Sequence, residues 1–355
     1  MDNNSKIFLS LQLIFVGMII LLVGCKVNKN PDVSDIDVNL NVIRFDQKLF
    51  QIDTTNTLSA FKSLKKDYPT FVDLFFSHVL PLKDIKNPDD EQILAKNINS
   101  FINDEFVKSV YDTTQIVYPE MDDVSEKLTL ALKYTKYYFP EVEIENLYTF
   151  VSEFGYQTFI FSEEDGKDAI GVGLDLFLND YPYKRFAQTN ASFSDYLTKA
   201  FRKEYIPKRA TDAVIDDILK PEKGERLLDK MIQNGKKLYL LKKFMPFEQD
   251  SIIFGYSGAQ MDWVSENELN IWVHLLAEEL IYETNRKKIK SLIDFSPTSK
   301  GMPAEAPGRT ANYSGYRIIE KFMQRNPEIA LDSMINISDP QYILDNARYK
   351  PTARR

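Results

Sequence analysis

From residue 36 apolar and polar positions alternate. Ile36, Val38, Leu40 and Val42 are separated by Asp37, Asn39 and Asn41, the period of a half-buried strand, with Arg44-Phe45-Asp46 at its end. Helical spacing follows over 58–66 and 70–80, with Pro69 tolerated in the first turn of the second. Residues 83–91 read as a polar loop, and 93–111 as one helix with Leu94, Ile98, Phe101 and Ile102 on one side. A further helix over 124–139 is closed by Pro140. The chain then turns to strands at 147–151, 156–161 and 169–174, rich in β-branched and aromatic residues, with turn composition at 162–168. The remainder reads as helices over 192–205, 211–219, 226–241, 258–282, 314–325, 327–335 and 340–346. No repeat or low-complexity linker interrupts it. The pattern predicts an α+β fold, predominantly helical with a small mixed β-sheet, as a single domain over 36–355. That length also admits two intimately packed lobes.

A different pattern precedes it. Residues 13–23 are an apolar run behind one early cation, Lys6, and the run ends in Leu22-Val23-Gly24-Cys25. Spanning a bilayer takes about 20 apolar residues, so the run fits a signal-peptide core better than a membrane span. Gly24 gives a peptidase access to the bond before Cys25, whose thiol can carry a diacylglyceryl group. This resembles the bacterial lipobox. It implies a signal peptide over 1–24, a lipidated tether over 25–35 and stable membrane attachment, since acyl chains contribute about 0.8 kcal/mol per buried CH₂. The alternative is an uncleaved anchor with an incidental cysteine. Either way the body faces an extracytoplasmic compartment, and the basic, polar start of the tether, Lys26 to Asn30, points to a periplasm-facing protein.

Composition narrows the chemistry. The 355 residues are 44% hydrophobic and 27% charged, enough to bury a core. A net charge of −8 argues against nucleic-acid partners, and one Cys excludes a disulfide framework. With 13 Gly, a dinucleotide-binding sheet is disfavoured. The only histidines, His78 and His274, lie on separate predicted elements and form no H-E-x-x-H pair, so the residues alone suggest neither a zinc site nor any other cofactor. There is no Gly-x-Ser-x-Gly elbow. Gly171-Val172-Gly173 lacks the remaining glycines of a phosphate-binding turn and reads as close backbone packing in a strand.

Two segments stand out as candidate binding surfaces. On the predicted helix 258–282, Trp263, Glu266, Asn267, Asn270 and His274 share one side. Leu269, Trp272, Val273, Leu276 and Leu280 share another, the expected core face. The polar side is either an ordinary solvated face or a lined groove. Pro307-Gly308-Arg309 leads into a helix that Asn312 or Ser314 can cap, where Arg309 would strengthen the anion affinity of a helix N-terminus; a purely structural turn is the alternative. The basic run 286–290 reads as the solvated C-terminus of the preceding helix.

An ordered set of motifs carries a family resemblance. The lipobox, Ile-Arg-Phe-Asp at 43–46, Asp-Tyr-Pro-Thr-Phe at 67–71, Lys-Tyr-Tyr-Phe-Pro at 136–140 and Ile-Gly-Val-Gly-Leu-Asp at 170–175 come in turn. Met-Ile-Gln-Asn-Gly-Lys at 231–236, the Trp263–Trp272 segment, Ala-Pro-Gly-Arg at 306–309 and Tyr-Lys-Pro at 349–351 follow. Together they resemble the gliding-motility lipoprotein family GldB over essentially the whole chain. The resemblance implies an envelope lipoprotein required for surface gliding, without established enzymatic activity, acting through protein partners of the motility machinery. That family is in turn distantly similar to zinc peptidases with H-E-x-x-H and a later Glu ligand, which implies a degenerate zincin-like fold. The counterpart of the first motif is Lys203-Glu204-Tyr205-Ile206-Pro207, with Glu204 at the general-base position and no histidine. The later ligand falls at Gln233 or Asn234. The expectation is therefore a protein that binds no zinc and is not an enzyme. A hydrolase-derived protein that still binds or cleaves an envelope peptide or glycan is the alternative.

Overall fold

The computed structural model describes residues 30–80 and 88–353. The predicted signal peptide, Cys25 and the tether up to residue 29 lie outside the described residues. Residues Ser34–Arg355 cluster as one compact unit.

A four-stranded mixed sheet organises the N-terminal half. β1 (Asn41–Ile43) pairs in parallel with β2 (Ile144–Phe150), β2 in parallel with β4 (Asp168–Gly173), and β3 (Thr158–Ser162) antiparallel with β4, giving the order β1-β2-β4-β3. One face, with Tyr148, Phe150 and Ala169, packs on α1 (Phe45–Phe50), α2 (Thr57–Asp67), α3 (Pro69–Leu74) and α4 (Pro88–Asn103). Aromatic rings fill this layer, with Phe71 stacked on Tyr148 at 4.3 Å. The other face, with Leu147, Ile170 and Val172, packs on α5 (Glu105–Val117), α6 (Asp122–Tyr138) and, after the short α7 (Asp195–Thr198), on α8 (Ile206–Ile218). Burial on both faces suits the parallel pairs.

The C-terminal half is a helical layer: α9 (Leu227–Phe244), α10 (Asp250–Phe254), α11 (Gly258–Glu266), α12 (Glu268–Ala277), α13 (Arg286–Ile293), α14 (Thr310–Arg325), α15 (Leu331–Ile335) and α16 (Pro340–Ala347). Its centre is the crossing of α9 and α14, where Gly235 faces Gly315 backbone to backbone. Among the described residues no helix is long and apolar enough to cross a membrane.

Several sequence expectations are corrected. The alternation at 36–42 yields only the three-residue β1. The helix expected over 93–111 is two helices, because the Asp104 carboxylate accepts from the N–H groups of Phe106 and Val107 and starts α5 afresh. The polar loop ends sooner, since α4 begins at Pro88. Residues 192–205 form short turns rather than one helix, and α8 begins at Ile206 with Pro207 in its first turn. The run 286–290 opens α13 instead of ending a helix: Asn285 caps it, and Glu283 and Asp294 pair with Lys288 and Arg286. Neither Asn312 nor Ser314 caps α14, which starts earlier, at Thr310.

The motifs at 43–46 and 170–175 are structural. Asp46 is buried and accepts from Arg44, Gln115 and Thr149, tying β1 and α1 to α5 and β2. A Cβ on Gly171 would lie 2.5 Å from the Phe159 ring, so the expected close packing is present. Asp175 is fully buried and its Oδ2 accepts from the N–H groups of Ser152 (3.0 Å) and Phe154 (2.6 Å). These bonds hold a loop in which Glu153 and Phe154 take positive φ values of 52° and 64°. Oδ1 has no hydrogen-bond partner, and burial raises the carboxyl pKa to about 6 from 3.8, against the pull of those N–H groups. A carboxyl with a raised pKa contributes its stability in the protonated form. The contribution is complete below the unfolded value and is lost as pH rises through about 6. Denaturant titrations should therefore show the stability of wild type minus Asp175→Asn falling by up to ~3 kcal/mol between about pH 4 and 7. A pH-independent difference would refute the assignment.

Candidate functional site

The Pro-Gly-Arg loop is held from three sides. A Cβ on Gly308 would stand 2.2 Å from Ser296 O, so only glycine permits this approach. Gly308 O accepts from Tyr256 Oη at 3.0 Å, and the Arg309 N–H bonds Ser291 O at 2.9 Å. Arg309 takes a left-handed φ of 66° at the N-cap of α14. Its side chain is thereby laid over the Phe295 ring, 4.0 Å from the centroid, with Nη2 donating to Phe254 O and Gly255 O.

From the other side α8 presents Lys208, Arg209 and Asp212. Lys208 Nζ lies 2.5 Å from Asp212 Oδ2, and Arg209 and Lys237 stand 3.8 Å from the same carboxylate. Those cations hold Asp212 below the usual carboxylate range although burial acts against it. Burial pushes Lys208 down to about 8, so it stays mostly charged at neutral pH. The Arg209 guanidinium also approaches Phe295, at 5.6 Å, and its Nε is buried without a hydrogen bond. Burial likewise lowers the Arg309 pKa.

These groups wall a cavity with two adjoining lobes of about 490 and 210 Å³ that share Tyr196, Lys208, Arg209, Tyr256, Phe295 and Arg309. That is the size range of small-ligand sites. Among the described residues the smaller lobe is lined by Lys199, Lys208, Arg209 and Arg309 and by no carboxylate. The larger adds Asp212, Lys237 and Asp294, the last paired with Arg286.

The sequence candidates scatter around this cavity. Arg309 lines it; Trp263, Glu266, Asn267, Asn270 and His274 do not. Their expected single helix breaks at Asn267, whose amide donates to Trp263 O and accepts from Asn270, closing α11 and opening α12. Burial nevertheless keeps one helical stripe across the break, with Val264, Glu268, Ile271, Trp272 and Leu275 at i, i+4, i+7, i+8 and i+11. Glu268, Ile271, Trp272 and Leu275 are buried, whereas Val273 and Leu276, expected in the core, are 52% and 51% exposed. Trp263 is half-buried against the C-terminal core, Glu266 and Asn270 are exposed, and His274 packs against Gly301.

The zincin counterpart does not fit a metal. Lys203, Glu204 and Tyr205 form a 3₁₀ turn ahead of α8, so the five residues do not share a helix. Glu204 is exposed beside Arg202, the Lys203 ammonium pairs with Asp123 at 2.8 Å, and Pro207 offers no donor. Gln233 donates to Lys220 O and Asn234 to Asn312 Oδ1. Among the described residues no group of three His, Cys, Asp or Glu side chains could hold a metal ion.

Sequence reasoning missed Lys208, Arg209, Asp212 and Phe295. The available signal was Lys208, Asp212 and Ile215 at i, i+4 and i+7, which puts two charges on the core side of a helix that starts at Ile206.

Fold and cavity define a helix-rich α+β protein with a cationic central pocket. The family model of gliding motility protein GldB matches residues 26–351, and the chain belongs to that family. Membership gives it a role in gliding motility. No curated protein and no solved structure matches the chain.

Proposed function

We propose that this chain is a lipid-anchored, non-catalytic component of the gliding machinery that works by holding a protein partner at the cell envelope, on its periplasmic side. One observation carries the reading. In the cavity Asp212 is engaged by three cations and Asp294 by Arg286, which leaves cations and aromatic rings, groups suited to binding, rather than an acid–base pair. Glu204, the residue nearest to a catalytic candidate, is a surface carboxylate beside Arg202.

The anchor is Cys25. Intact-mass analysis of the membrane form should find residues 1–24 removed and Cys25 acylated, and Cys25→Ala should release or mislocalise the protein. An unmodified Cys25 on a chain that keeps residues 1–24 would sink this assignment. The partner is tested by cross-linking the lipoprotein in gliding cells: one protein species should be captured, and its yield should fall for Glu266→Ala on the exposed end of α11 without loss of membrane attachment. Unchanged capture by Glu266→Ala would remove α11 from the interface, and no captured protein at all would overturn the partner-holding role.

A further inference from the structure

We propose that the cavity between α8 and the start of α14 binds an oxyanion, a carboxylate or phosphate group on a small organic body, held by the guanidiniums of Arg209 and Arg309. Among the described residues four cations and no carboxylate line the smaller lobe, in a chain whose net charge is −8. Cations confined together in a partly desolvated pocket repel one another, and such a pocket focuses positive potential on an entering anion.

The two guanidiniums are incompletely used. Among the described residues Arg309 contacts no carboxylate, and its side-chain hydrogen bonds run from Nη2 to two backbone carbonyls. Arg209 Nε is buried without a hydrogen bond, and the one carboxylate it meets among the described residues, Asp212 at 3.8 Å, is held through Oδ2 by Lys208 at 2.5 Å while its Oδ1 makes no hydrogen bond. Phe295 lies within 4.0 and 5.6 Å of the two guanidinium carbons and restrains both without neutralising either. A planar guanidinium with free N–H groups matches the paired oxygens of carboxylate and phosphate. Two helices of suitable polarity support the same charge preference: α14 has its N-cap at Arg309 and α11 at Ser257, both in the wall of the smaller lobe. The cations exclude a metal ion, and the rings of Tyr196, Tyr256 and Phe295 give the ligand's body an apolar surface.

Such a ligand would deepen the partner-holding role, because an acidic group on the partner could occupy the cavity. It rests on that reading only in taking the cavity as a binding site, so a failed anion titration leaves the cross-linking result standing and the reverse holds too.

Full-length lipoprotein in detergent is titrated calorimetrically with inorganic phosphate, with N-acetylglutamate and with neutral N-acetylglutamine. At least one anion should bind, more weakly at high salt, while N-acetylglutamine should not. Which anion binds distinguishes a phosphate from a carboxylate source. Arg209→Gln should weaken binding by about tenfold or more. It is preferred to an Arg309 variant because Arg309 also fixes the Phe254 and Gly255 carbonyls. Should Arg209→Gln not fold, the exposed Lys199→Gln serves instead, with an expected loss of about threefold. Absence of binding by both anions, or affinity unchanged in the folded variant, would overturn the proposal.

Discussion

Gly315→Ala should lower the unfolding free energy by at least ~3 kcal/mol, more than most single substitutions in this chain. A Cβ there would lie 2.0 Å from Met231 O and 2.7 Å from Met231 C; on Gly235 it would lie 2.4 Å from Gly315 C. Both conflicts are with backbone, so no rotamer change relieves them. Relief requires α9 and α14 to separate, which would loosen the contacts of buried Met231, Ile232, Ile318, Ile319 and Phe322. The same separation would displace Asn234 and Lys237 on α9 from Arg309 and Asn312 at the start of α14, and so deform the cavity. Gly258→Ala is the control, because nothing lies within 4 Å of a Cβ at that position. Urea titrations should place Gly258→Ala near wild type and Gly315→Ala far below it. A Gly315→Ala variant within ~1 kcal/mol of wild type would contradict the close crossing.

A comparable loss, ~3–5 kcal/mol, is expected for Glu268→Ala. Glu268 is 6% exposed, and its Oε1 accepts from Arg317 Nε at 2.9 Å and Tyr349 Oη at 3.0 Å. Tyr349 also meets Trp272 edge to face at 5.1 Å. The carboxylate therefore joins α12, α14 and the C-terminal segment, and its removal leaves the Arg317 cation with Glu320 as its one ion-pair partner among the described residues. Tyr349→Phe deletes one hydrogen bond and should cost only ~1–2 kcal/mol. Equal losses for the two variants, read from thermal or denaturant unfolding, would mean that the Arg317 contact contributes little.

These contacts give several of the recognisable motifs a structural part. Trp263–Trp272 and Tyr-Lys-Pro meet at Glu268, Met-Ile-Gln-Asn-Gly-Lys supplies Gly235 and the Lys236 ammonium that bonds Ile335 O and Ile337 O, and Ile-Gly-Val-Gly-Leu-Asp supplies Asp175. Of the motifs named, Ala-Pro-Gly-Arg is the one that brings a charged side chain into the cavity.

Periodicity located the strands and the long helices α2, α6, α9 and α14, because their apolar faces are continuous. It ran past the breaks at Asp104 and Asn267, where a side chain bonds the local backbone while apolar residues continue on both sides. It also put Val273 and Leu276 in the core, because the buried stripe of Val264, Glu268, Ile271, Trp272 and Leu275 runs through a carboxylate that the pattern reads as solvated. The cavity was illegible for a related reason. Lys208, Arg209 and Asp212 look like surface charges until α8 is known to begin at Ile206, and Phe295 gains its role only from two arginines 86 and 14 positions away that the fold brings to it. Arg309 was legible, though as an adjunct to a helix N-terminus rather than as a wall of a cationic pocket.

Gliding speed decides most directly whether this protein holds a ligand or performs chemistry. It should be measured in cells whose only copy carries Glu204→Gln or Arg209→Gln, with equal amounts of anchored lipoprotein. Wild-type speed is expected for Glu204→Gln and impaired gliding for Arg209→Gln. Loss of gliding in Glu204→Gln together with normal gliding in Arg209→Gln would contradict this expectation.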